Sequence, residues 1–208
     1  MADWVTISAL ATAGGTLALA GAGYGAVRSG NRAARAAELS LLSQLRPLLI
    51  QSSPEDHPLR ASFVDDVTIT APGEGAGVEV VDGRVYLVLS LRNVGPGIGV
   101  LDGGYVYPTR LTGDVEHVRL DQFRRLTRDI YIPPGKIGFW QIAFRDPGPE
   151  RDRITEAVES GTLSVDILYG DYEGGQRVIS SFNVNREADG RWIASAVRHR
   201  HVDRSEPR

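Results

Sequence analysis

The chain has 208 residues, a net charge of -3 and no cysteine. That length fits one ordinary domain plus an appendage, and the missing thiols exclude disulfides, zinc ribbons, cysteine nucleophiles and iron–sulfur clusters. The mildly acidic balance excludes the global basic field of a nucleic-acid binder, while 24 glycines and 11 prolines favour a turn-rich β domain over a helical bundle.

From Trp4 to Val27 no side chain carries a charge. As a helix this run reaches about 36 Å, against a hydrocarbon core of roughly 30 Å. Trp4 and Tyr24 lie near its ends, where amphipathic rings settle. A cleaved signal peptide is the competing reading, with "LALA" as its small-residue site, but a signal wants a positive start and "MAD" offers only Asp3. Arg28, Arg32 and Arg35 stand on the other flank, which the positive-inside rule keeps in the cytoplasm. The expectation is a single-pass cell-membrane anchor contacting lipid through residues 4–27, its C-terminal domain cytoplasmic. Gly21 and Gly25 form a GxxxG, a spacing that admits a second helix and hence a helix-mediated homodimer.

The next stretch, "NRAARAAELSLLSQLRPLLI", carries Leu39, Leu42, Leu45 and Leu49 at helical spacing, with Pro47 stopping the helix near Arg46. It reads either as an interfacial helix, arginines toward anionic lipid, or as a stalk packing its leucines on the domain below; the stalk is favoured. "QSSPEDHPLR" then reads as an exposed linker.

From about Ala61 the period becomes two. "RVYLVLSL" sets Val85, Leu87, Leu89 and Leu91 on one face and Tyr86, Val88 and Ser90 on the other; "TLSVDILY", "VISSFNV", "IGFWQIAF" and "SFVDDVTIT" alternate similarly. Asp82-Gly83, "PPGK", "GDYEGGQ" and "ADG" supply turns, and one short helix near "ERDRITEAVES" stops at Gly161. Eight or nine short strands with a single helix read as an antiparallel immunoglobulin-like β-sandwich. The fold class is therefore mainly β, preceded by one transmembrane helix and a short linker helix. The expected parts are an anchor over 1–30, a juxtamembrane helix and linker over 31–58, the sandwich over 59–203 and a tail over 204–208.

The glycines of "NVGPGIGVLDGG" invite a phosphate-cradle reading that fails on spacing. Val100 and Asp102 stand where a third fingerprint glycine belongs, Pro96 removes an amide, and a strand follows instead of a helix. Backbone geometry, as positive φ at a turn or bulge, is the expected reason for them.

Other chemistry is weighed similarly. His199, His201 and Asp203 offer a divalent metal three ligands, against an exposed basic strand end; Arg198, Arg200 and Arg204 there suit anionic lipid. Arg119, Arg124, Arg125 and Arg128 form an arginine cluster for phosphate or an acidic partner, against a solvated face or a charged edge that resists aggregation. Asp171 and Glu173 lie in a turn without the order of a calcium loop. Asp65 and Asp66, adjacent on a strand, point to opposite faces. His57, His117, His199 and His201 have no triad context, and Trp140 and Trp192 read as core. No catalytic, cofactor or metal residue is assigned.

"LRPLL", "LRNVGPGIGVL", "YIPPGKIGFWQ", "ILYGDYEGGQRVISSF" and "VRHRHVDRSEPR" together resemble an uncharacterised actinobacterial family of small membrane-anchored proteins with a C-terminal β-sandwich-like domain. The resemblance implies the anchor-plus-β layout and brings no chemistry. The functional expectation is a membrane-tethered, non-enzymatic module presenting a protein-interaction surface, with no nucleic acid and no cofactor. The alternatives are an enzyme or small-ligand binder with a site in strand-end loops around Asp171, Glu173 or Arg177, and an exported domain released by signal cleavage.

Overall fold

The computed structural model describes residues 4–112 and 118–203, in two compact units, Met1–Ser43 and Gln44–Arg208. His117 and the tail from Arg204 lie outside the described residues. The first unit is built on one helix, α1 (Trp4–Leu45). Its alanines are the best helix formers, and it ends two residues before Pro47, whose ring disfavours helical backbone in the residue preceding it. The expected linker helix is thus the continuation of the first helix.

Among the described residues no helix is long and apolar enough to cross a membrane; the side chains of residues 4–20, most of the expected span over 4–27, lie outside the described ones. At Gly21 and Gly25 a Cβ would meet nothing within 4 Å.

The second unit comprises β1 (Leu49–Gln51), β2 (Leu59–Ser62), β3 (Thr68–Ala71), β4 (Gly75–Val81), β5 (Arg84–Asn93), β6 (Gly99–Tyr107), β7 (Arg124–Ile132), β8 (Ile137–Phe144), α2 (Pro149–Ser160), β9 (Thr162–Gly170), β10 (Val178–Arg186) and β11 (Trp192–His201). Nine strands form one curled antiparallel sheet in the order β1-β5-β4-β11-β10-β9-β6-β7, with β8 also on β5; β2 and β3 pair separately. Strand β8 lines β5 from Val85 to Arg92, so β4 and β1 share the opposite edge. The fold is therefore mainly β. The sheet turns a corner between β4 and β11, where only Ala76–Trp192 and Gly75–Ile193 pair.

Period-two alternation delivers the core. Leu87, Leu89, Leu91, Trp140 and Phe144 meet Val165, Ile167, Phe182 and Val184 inside the curl, and α2 closes the cluster with Ile154, Ala157 and Val158. Each large side chain so buried contributes about 1.5–3 kcal/mol. Helix α2 stops where expected, at Gly161 in the left-handed region (φ 80°). The β4–β5 and β9–β10 hairpins also follow their turn residues.

Two expectations change. Strand β5 is buried on both faces, because Ala61, Phe63, Ile69 and Ala71 of β2, β3 and their flanks cover Tyr86 and Val88. "SFVDDVTIT" is accordingly two strands around a turn, with Asp66 at φ 63°. The glycine cluster is also not a set of positive-φ positions. At Gly95 and Gly97 main chain passes main chain: a Cβ on Gly97 would lie 1.7 Å from the Leu45 carbonyl oxygen, and one on Gly95 2.5 Å from both Arg46 O and Leu48 N.

That contact is testable. Gly97→Ala forces Leu45–Pro47 away from the body, and overpacking of this kind costs about 1–3 kcal/mol. Chemical denaturation of the full chain is expected to show that loss; an unchanged midpoint would refute the close approach.

Candidate functional site

Strands β7 and β8 are joined by the turn Pro133–Lys136 but, among the described residues, share no ladder. They are the unpaired margins of the curled sheet. Strand β7 pairs with β6 at Ile130–Ile132 and again at Arg124 and Arg125, and between these Leu126–Asp129 have no partner on β6. This break in register, with only Asp102 of β6 opposite the four residues, is a bulge-like irregularity of the kind that bends a strand. On β8 the Ala143 carbonyl accepts a hydrogen bond from Arg124 Nη1 (3.3 Å), so it faces away from β5. Antiparallel alternation then points the main-chain groups of Phe139, Gln141 and Ala143 into the seam.

The seam holds a cleft of about 260 Å³ lined by both strands, by Phe63 and Val64 of the β2–β3 turn and by Arg145. Its lining contains four arginines, Arg124, Arg125, Arg128 and Arg145, and no carboxylate. Val64, 88% exposed, forms an apolar rim.

The four cations differ in how they are held. Arg145 is bidentate on Asp65 (2.9 and 3.3 Å), and its guanidinium carbon lies 5.8 Å from the Phe63 and Tyr86 ring centres. The Asp65 carboxylate also accepts from the Tyr86 hydroxyl and lies 3.6 Å from Arg84. Arg145 and Tyr86 together hold its carboxyl well below the usual carboxylate range. Arg124 stacks over Phe144 (4.8 Å) and reaches Glu150 only at 3.9 Å. Arg128 lies over Phe139 (5.8 Å) with one long bond, 3.3 Å, to the Gln141 amide oxygen. Among the described residues neither Arg125 nor Arg128 reaches a carboxylate.

The arginine cluster expected from sequence is thus gathered in part. Arg124, Arg125 and Arg128 line the seam, while Arg119 turns to Asp121 (3.0 Å) on an exposed flank. Sequence reading missed Arg145, Gln141 and Val64, which only the sheet register brings there.

The other candidates are occupied by structural work. His199 and His201 lie on one side of β11, as alternation requires, but His199 Nδ1 meets Ser180 Oγ (2.7 Å), His201 Nδ1 meets Arg46 (3.1 Å) and Asp203 grips Arg177 (2.7 Å). Among the described residues no group of three or more His, Asp or Glu is placed to hold a metal ion. The Ser180–His199 distance suits a nucleophile and its base, yet Ser180 has no exposed surface. Its hydroxyl instead joins Tyr169 OH (2.8 Å) and the Leu49 carbonyl (3.3 Å), tying β1 to β9 and β10. Asp171 accepts from the amides of Glu173 (3.1 Å) and Gly175 (2.8 Å) and so shapes its own turn. Asp166, fully buried, accepts from Tyr107 (2.9 Å) and Ser181 (2.5 Å) on the outer face of β9 and β10; burial, then that carboxylate, pushes the Tyr107 hydroxyl up. Trp140 and Trp192 are core residues.

Burial, with the neighbouring Arg46 charge, lowers the His199 pKa below its ordinary value of 6.5. The unfolded chain therefore binds this proton first, so the folded state loses stability as pH falls below about 6.5, by at most about 1.4 kcal/mol per pH unit. Denaturation midpoints between pH 7 and 5 (roughly the histidine range) are expected to slope downward toward acid, and His199→Gln to flatten that slope. An unchanged slope in the variant would assign the effect elsewhere.

No family model, no curated protein and no solved structure matches this chain.

Proposed function

We propose that the chain is a non-enzymatic interaction module, an immunoglobulin-like sandwich in which β8, β5 and β4 pack against β11, β10, β9, β6 and β7 about the β4–β11 corner, and that it presents the β7–β8 seam to a protein partner at a membrane face. The observation that carries this reading is the seam itself: an open cleft with two unpaired strand edges, four arginines and no carboxylate in its lining. Arginine and aromatic groups around an exposed apolar rim are the composition of binding hot spots. Unpaired edges are otherwise covered, because they template pairing with other chains.

The membrane setting is supported by α1. Arg28, Arg32 and Arg35 recur at i, i+4 and i+7, all exposed, so they share one helical face beside the uncharged stretch. Like charges at that spacing repel, and anionic headgroups relieve the repulsion, each basic residue adding about 1 kcal/mol of attraction near such a surface. Attachment of this kind raises the concentration of the module near any membrane partner.

Two measurements test the reading. A photo-crosslinker at exposed Thr127 on β7 is expected to give discrete adducts in native membranes that Arg125→Glu and Arg128→Glu abolish, while the same group at Glu79 on β4 gives none. Equal labelling from both positions would reject the seam as the surface. The full chain is also expected to float with vesicles containing anionic lipid and to do so less when Arg28, Arg32 and Arg35 are changed to Gln; indifference to lipid charge would reject the arginine face as the attachment.

A further inference from the structure

The seam has a shape that narrows its partner's chemistry. On β8, main-chain donors and acceptors of Phe139, Gln141 and Ala143 face the gap at every second residue, which is the repeat of one strand edge. Opposite them, the irregularity at Leu126–Asp129 takes the β7 main chain out of the β6 ladder. What spans the gap is side chain, not backbone: Arg124 to the Ala143 carbonyl and Arg128 to the Gln141 amide oxygen, both at 3.3 Å. These are long bonds from cations to neutral acceptors. A carboxylate in their place makes shorter bonds of roughly twice the strength.

We infer that the seam accepts an extended acidic segment of a partner protein as an added strand along β8, with its carboxylates on Arg125 and Arg128. This rests on the reading of the seam as the interaction surface and names the partner's chemistry. The charge argument is specific: Arg145 is satisfied by Asp65 and Arg124 lies within reach of Glu150, whereas Arg125 and Arg128 line the cleft without a carboxylate among the described residues. The stacking of Arg124 on Phe144 and Arg128 on Phe139 limits the side-chain freedom lost on binding, which otherwise offsets each ion pair. Strand addition supplies affinity through the main chain, and alternate side chains supply selectivity. Val64, 88% exposed at the cleft rim, offers an apolar contact to residues between the acids, so the fitting segment alternates Asp or Glu with β-branched residues.

The test is fluorescence anisotropy on the full chain with a labelled peptide of about nine residues alternating Glu and Val. A Lys/Val peptide and two Glu/Val peptides N-methylated on alternate residues, one for each possible strand facing, serve as comparisons. The Glu/Val peptide is expected to bind, the Lys/Val peptide not to. One of the two methylated peptides should lose about tenfold in affinity, since it cannot donate to the Gln141 and Ala143 edge, and Arg125→Glu with Arg128→Glu should lose at least about tenfold. Both substituted positions are exposed, and a thermal melt matching the parent chain confirms folding. Binding that both methylated peptides retain, or that inorganic phosphate displaces as fully as unlabelled peptide does, overturns strand addition. No binding by the Glu/Val peptide, with the Thr127 crosslink intact, overturns the acidic partner while leaving the seam an interaction surface; loss of both overturns the surface as well.

Discussion

The buried side chain of Asn93 organises this structure. Its amide nitrogen donates to the carbonyls of Gly97 (2.7 Å) and Ile132 (2.8 Å), and its oxygen accepts from the amides of Leu48 (3.2 Å) and Gly95 (3.0 Å). Its backbone meanwhile accepts from Gly135 and donates to Lys136. One fully buried residue therefore holds the start of β1, the crossover from β5 to β6 and the end of β7 through its carboxamide, and the turn into β8 through its main chain. Removing the carboxamide would strand several buried polar groups at once, each costing about 1–3 kcal/mol. The close passage of Gly95 and Gly97 over Leu45–Leu48 belongs to the same knot, since a side chain at Gly95 would push Leu48 off the Asn93 oxygen and one at Gly97 would displace Leu45 and Arg46 beside it.

From that pinned end the β7 and β8 edges run apart. The ladder that would close the curl fails because β7 spends Leu126–Asp129 on a bulge, and the far end is held by side chains. Asp65 draws Arg145, Tyr86 and Arg84 together, which fastens the β2–β3 turn to the ends of β5 and β8 and sets one wall of the cleft. The opening is thus held at both ends by buried or partly buried polar groups. A surface built that way loses little entropy when a partner docks.

Much of this was legible from local chemistry. Pro47 ends α1, Gly161 ends α2, Asp82-Gly83 makes the β4–β5 hairpin, and alternation puts His199 and His201 on one side of β11. Each of these is decided within a few residues. The glycine cluster was not legible, because its reason is a main-chain passage by Leu45–Leu48, some fifty residues earlier. The partners of β6 were equally hidden: it leaves β5 to pair with β9 and β7, a choice made by long-range register. The arginine cluster was seen as a run, but Arg119 leaves it and Arg145 joins it only when β7 and β8 lie side by side.

The preference for arginine over lysine carries no message here by itself, since Lys136 is the single lysine in the chain. What carries information is placement. Edge protection alone needs only a charge that projects into water and repels another chain. Arg124 and Arg128 instead lie across the gap, over Phe144 and Phe139, and reach groups on β8 that are neutral. That arrangement keeps water-exposed cations close to a row of main-chain hydrogen-bonding groups that, among the described residues, no strand pairs. A neutral or basic strand approaching β8 would have to displace these guanidinium groups with nothing to offer in return, whereas an acidic one supplies Arg128 with a new acceptor as it pairs. The same residues that close the edge to most chains therefore select the one kind of chain that can open it.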